Sequence, residues 1–434
     1  VIRLLACLLL LAAAPALAQE RLAITGGRVI TNAGPPVEGG VVLLSGGQVE
    51  RVLPAGAPVP PGYRAIDATG KWVTPGLVAG ISQIGLSEVT GGADANDTRA
   101  PRAAVSASLI AASAFNPNET SIPITRRAGV TSAIVAPFPG DSVYAGQGMV
   151  ISLADGVRAP LRERAFQYVQ LGGRGGQIAG GARTAAWAEL TNGLEEARRL
   201  QTGLVMPMRD QHKDLRITRD DAEALSLVLR SAQPLFVRVD RASDIRQVLK
   251  LPQMYPGLRL VLVSANEGWL VADEIARARV PVITLGMDNL PGSFDQVAAT
   301  MNNVGRLVAA GVTVALGTPD LDASFQPRLL PQYAGNLVAQ GRIPGGVGLS
   351  WDQAFAAISR APAEVLGLSD RGVLRPGAAA DVVIWSGDPL ELSSAPERLF
   401  IAGAEQSLES RQSELARRYR PGQPRDQLPE GYRR

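Results

Sequence analysis

Histidine is almost missing from this chain: His212 is the single imidazole in 434 residues. Any centre that needs two or more imidazoles from one chain, as most zinc sites do, is therefore excluded. Cysteine is as scarce. Cys7 is the only one, and it lies in an apolar leader, so the remainder has no disulfide, no reactive thiol and no cysteine metal site. Aromatic residues make up 5% of the chain and form no stacking stripe, and outside the C-terminal tail no charge of one sign is in excess. The formal net charge of +3 is supplied by the tail from Ser407 onward, where seven Arg stand against four acids. Nothing in that balance marks a nucleic-acid surface. After the first twenty residues no apolar run is long enough to cross a membrane.

What is present begins with "VIRLLACLLLLAAAPALAQE", an apolar stretch behind Arg3 that ends in Ala16-Leu17-Ala18. This A-x-A pattern predicts a secretory signal peptide over residues 1–18, cleavage after Ala18, and an exported protein, periplasmic or secreted. At 46% hydrophobic and 19% charged, the whole sequence has the composition of a globular chain long enough for one large domain and a smaller companion.

Residues 21–73 read as short strands punctuated by Gly-Gly and Ala-Thr-Gly, and the same texture returns in "DRGVLRPGAAADVVIWSGDP" and "LFIAGAEQSL". Between them, apolar runs at Leu77–Ile81, Ser132–Ala136, Met149–Leu153, Leu204–Met208, Leu235–Val239, Leu260–Ala265, Pro281–Leu285 and Thr313–Gly317 predict eight strands. Helices are expected to open at Thr218 with Asp221, at Ser293 with Gln296 and at Ser350 with Gln353, each pair fitting a capping box or its acidic variant. The alternation predicts an α/β chain with a (β/α)8 TIM-like barrel. "QLGGRGGQIAGGAR" reads as a mobile loop and lacks a phosphate-binding spacing.

"LAITGGRVIT…IDATGKWVTPGLV" at one end and "APAEVLGLSDRGVLRPGAAADVVIWSGDPLE" at the other resemble the amidohydrolase superfamily, in particular its imidazolonepropionase-like branch. "RRAGVTSAIVAP" and "VPVITLG" are similar to barrel segments of that branch. The resemblance implies a β-sandwich built from residues 19–74 and 369–406 beside a barrel over 75–368, followed by a polar arm over 407–434. It also implies a hydrolase of carbon–nitrogen, non-peptide bonds, with zinc or another divalent metal held by H-x-H on the first strand, further His on the fifth and sixth, and Asp on the eighth. Neutral imidazole and carboxylate offer zinc lone pairs at about 2 Å.

The expected ligand positions are otherwise filled. H-x-H becomes Ile81-Ser82-Gln83, Arg238 stands where the fifth strand should carry His, and Pro319 stands at the expected Asp, with Asp320 one place late. Isoleucine has no lone pair, and a guanidinium is a permanent cation without an acceptor. No cofactor is predicted. Arg238 either clamps an anion or pairs internally with Asp240, Glu267 or Asp320. Glu267 and Asp320 are the candidate acid/base carboxylates; Glu88, Asp240 and Asn266 are further pocket candidates; and Gln147 shapes the turn after the second strand. His212 reads as part of a solvated loop. The expectation is an amidohydrolase-fold protein with a degenerate metal site that binds a small molecule or stabilises a partner, as a homo-oligomer or with an active relative. The alternatives are a hydrolase with a rearranged site and an anion-binding protein using Arg238.

Overall fold

The computed structural model describes residues 20–88, 92, 95–202, 217–319 and 324–420. The β-branched runs near the N-terminus form β1 (Leu22–Val29), β2 (Val37–Ser45), β3 (Gln48–Leu53), β4 (Arg64–Asp67) and β5 (Trp72–Pro75). Chain reversal at Gly46-Gly47, both with positive φ, pairs β2 with β3. β1 pairs with β2 on one side; on the other it meets β4 through Leu22–Thr25 and β5 through Arg28–Val29.

Eight central strands follow: β6 (Leu77–Ser82), β7 (Val130–Val135), β8 (Tyr144–Ser152), β9 (Arg162–Gln170), β10 (Leu235–Val239), β11 (Leu260–Ser264), β12 (Val282–Thr284) and β13 (Val314–Leu316). The chain then returns as β14 (Val382–Trp385), β15 (Pro396–Ile401) and β16 (Ala404–Glu405). β14 lies antiparallel on β5, so both ends share one eight-stranded sheet with its own core of Leu22, Ile24, Val42, Val73, Val382 and Phe400.

The central strands form a second sheet in chain order from β6 to β13, curled into a nearly closed, TIM-like barrel. Its seam is drawn together by Thr318, whose N–H and hydroxyl both donate to the Ile81 carbonyl at 2.6 and 3.0 Å. Glycine permits the approach: a Cβ on Gly80 would fall well inside 3.0 Å of the Leu316 carbonyl, and one on Gly317 would meet the Ile81 amide. Alternate side chains fill the interior. Phe166 and Phe236 stack with centroids 4.2 Å apart, among Ile81, Ile134, Val263 and Ile283.

Two expectations need correction. β8 contains the run from Met149 but lies antiparallel to both β7 and β9, so the barrel is not a strict βα alternation. The reason is connection length. The links 136–143 and 153–161 are hairpin-sized, whereas a parallel crossover needs a dozen residues or more. Beside β10 stands β9, which the sequence reading missed; the run at Leu204–Met208 lies outside the described residues.

The Gly-rich stretch is also not a loop. It forms a helix over Gly172–Ile178 and leads into the helix Arg183–Gln201. Gly172 has φ +71°, and Gly173 donates its N–H to Asp295, an approach a side chain would obstruct. The capping boxes at Thr218 and Ser350 form, but the helix expected from Ser293 begins only at Asn303.

Candidate functional site at the barrel mouth

The C-terminal ends of the barrel strands gather most of the positions singled out in the sequence. Ile81 is buried and belongs to the apolar cluster of the interior. Two residues on, Gln83 is buried: its N–H donates to the Ser324 carbonyl at 2.9 Å, and its Oε1 accepts from the Ser324 hydroxyl at 3.0 Å. Its Nε2 has no hydrogen-bond partner among the described residues.

Arg238 is half-buried on β10, on the same face as Phe236. Its Nη1 donates to the carbonyl of Pro319 beyond β13, so the guanidinium bridges the end of the fifth barrel strand to the end of the eighth. A cation above an apolar floor is costly without such acceptors.

On the neighbouring strand end, Ser264 and Ala265 both adopt positive φ, +72° and +50°. Consecutive left-handed non-glycine residues are strained backbone, a feature that concentrates at functional sites. Beyond them, the Asn266 N–H donates to Asp240 Oδ1 at 3.2 Å, while its Nδ2 is buried without a partner among the described residues. Glu267 is buried. Its two oxygens accept the Ala242 and Ala298 amides, both at 3.0 Å. It thereby clips the turn after β10 to the segment after β12.

Glu88 is on the rim, where it accepts from Asn116. Behind it Glu119 is buried, taking the Gly85 amide at 3.1 Å and the Ser121 amide at 2.8 Å. Burial pushes the Glu119 carboxyl above its ordinary range, against the pull of these donors and with help from the Glu88 charge. A carboxyl raised on folding favours the native state below the ordinary glutamate range and loses that contribution as pH rises through its folded value. The stability of the parent minus that of Glu119→Gln is therefore expected to shrink as pH rises, measured by urea unfolding across that range; a difference that grows would contradict the assignment.

Gln147 proves to be a buried strand residue that accepts from Gln233 Nε2 at 2.9 Å. It does not shape the turn. Asp320 and His212 lie outside the described residues.

A divalent metal does not fit this donor set. Ile81 has nothing to donate, the Gln83 carbonyl is held by a hydroxyl, the Pro319 carbonyl is held by Arg238, and Arg238 would repel the ion. Among the described residues no group of three His, Cys, Asp or Glu is placed to hold one.

A TIM-like barrel with its candidate site at the strand ends, joined to a sheet made from both chain ends, is the architecture of the amidohydrolase class. Residues 175–403, just over half of the chain, match the amidohydrolase family, and the chain belongs to it. A curated relative, the amidohydrolase tasK of Hapsidospora irregularis, is 22% identical over 400 residues. That match takes in 85% of this chain but 40% of the relative, so the chain spans well under half of that protein's length.

Among solved structures, an amidohydrolase from Thermotoga maritima MSB8 superposes with a TM-score of 0.77 at 24% identity, covering 88% of this chain and 99% of that one. A prolidase complexed with N-methylphosphonate-L-proline gives 0.55 at 18%, covering 89% and 99%. Molinate hydrolase gives 0.55 at 18%, covering 90% and 95%. At these identities the likeness establishes the fold alone.

Proposed function

We propose that this chain is a non-catalytic member of the amidohydrolase family, a ligand-binding or partner-stabilising protein built on a barrel whose metal site has been replaced. The observation that carries this reading is Arg238, which stands at an expected histidine position and reaches across the mouth to the Pro319 carbonyl. Around it, the buried amides of Gln83 and Asn266 offer hydrogen-bond donors, the complement of a metal site's acceptors. Export, membership of the imidazolonepropionase-like branch, a sandwich arrangement of the composite sheet and association with an active relative or further copies belong to the same proposal. A pull-down from native periplasm that recovers no related subunit would count against the partner.

A second reading is a hydrolase of carbon–nitrogen, non-peptide bonds with a rearranged site. It rests on family membership and on the same Gln83 and Asn266 amides, which are placed to polarise a carbonyl. Assays over cyclic amides and N-acyl compounds decide between the two. The first reading expects no turnover above buffer; turnover abolished by Asp320→Asn, with the fold intact, would establish the second. A narrower form of the first reading is an anion-binding role for Arg238, which would be lost if calorimetry found no carboxylate ligand sensitive to Arg238→Ala.

A further inference from the structure

On the outer wall of the barrel, a groove of about 600 Å³ lies between the helix Ser121–Arg126, the segment after Ser324 and the start of the helix Arg411–Arg418. Its chemistry differs from that of the mouth. Ile124, Ala128 and Phe325 give it an apolar floor, and Arg127 and Arg328 stand on its rim with no acidic residue among the described residues of the lining.

Neither arginine is engaged by a carboxylate among the described residues. Arg127 donates weakly to the Ser410 hydroxyl at 3.4 Å, and Arg328 to Gln326 Oε1 at 3.4 Å. Two described acids close in sequence to the lining are committed elsewhere: Glu119 to Ser121 and Gly85, and Glu409 to Arg417 at 3.2 Å. The backbone next to Phe325 is tied down, because its neighbour Ser324 makes two hydrogen bonds with Gln83. A tethered backbone at one side of the floor lowers the entropic cost of filling the groove.

We propose that this groove is a second binding site, for a single-chain amphipathic carboxylate whose apolar body lies on Ile124, Ala128 and Phe325 and whose head meets Arg127 and Arg328. Apolar contact supplies affinity and the guanidinium pair supplies orientation, the division usual in concave ligand sites. The site goes beyond the reading of the mouth and does not depend on it.

The test is isothermal titration of the full chain with sodium octanoate, 1-octanol and sodium phosphate in separate runs. Octanoate is expected to bind saturably at one site, octanol about tenfold more weakly, and phosphate without saturation. The double variant Arg127→Gln/Arg328→Gln is expected to weaken octanoate about tenfold, and Ala128→Trp to remove binding while both arginines remain. Thermal melts identify which variants are folded, and either folded variant decides the matter alone. Absence of saturable octanoate binding, equal binding of octanol, saturable binding of phosphate alone, or octanoate binding unchanged in a folded variant would each overturn the proposal.

Discussion

Gly80→Ala is expected to lower the unfolding free energy by about 3 kcal/mol, the upper end for forcing atoms into a packed interior. The new methyl would meet the Leu316 carbonyl and the Gly317 backbone, and neither can rotate aside as a side chain could. The strain falls on the seam, where Thr318 closes the barrel by donating twice to Ile81. Gly34→Ala is the control, since a Cβ there meets only the Thr31 hydroxyl at 3.9 Å. Urea unfolding of the two variants gives the comparison. A Gly80→Ala protein as stable as Gly34→Ala would mean that the seam is not closed.

The second large effect is expected at Glu267. Glu267→Ala leaves the Ala242 and Ala298 amides without their acceptor, at a cost of about 3 kcal/mol for two buried, charge-assisted bonds. Glu267→Gln keeps one carbonyl oxygen and should cost about half as much. The chemical denaturation midpoint should therefore fall in the order parent, Gln, Ala. A midpoint unchanged in both variants would contradict the clip.

How much of this was legible beforehand depends on whether the deciding contact is local. The capping boxes at Thr218 and Ser350 form because each joins residues three apart. The one expected at Ser293 does not form. Its neighbour Asp295 is taken by Arg183 and the Gly173 amide, more than a hundred residues away, and Gln296 Oε1 is taken by Gly292. β9 was hidden because its first residues, Arg162-Glu163-Arg164, are exposed and charged, so the apolar signal shrinks to the few residues that follow.

At the mouth, residue types alone showed that Ile81 and Arg238 could not ligate a metal. They could not show that Arg238 reaches Pro319, because that contact joins strand ends 81 residues apart in sequence. Nor did any local signal mark the left-handed turn at Ser264-Ala265, since neither residue type favours it. The left-handed turn is set by the barrel, in which the Ala265 amide returns to the Val239 carbonyl of the adjacent strand at 2.9 Å.

If Arg238 and its neighbours have replaced a metal site, the mouth cannot retain a divalent ion. Plasma mass spectrometry of the protein, purified without chelator and then incubated with excess zinc, manganese or iron and desalted, is expected to find far less than one metal per chain under every condition. Near-stoichiometric metal that is lost in Asp320→Asn would contradict the replacement, because a ligand shell would then exist at the mouth that Ile81, Gln83, Arg238 and Pro319 do not provide.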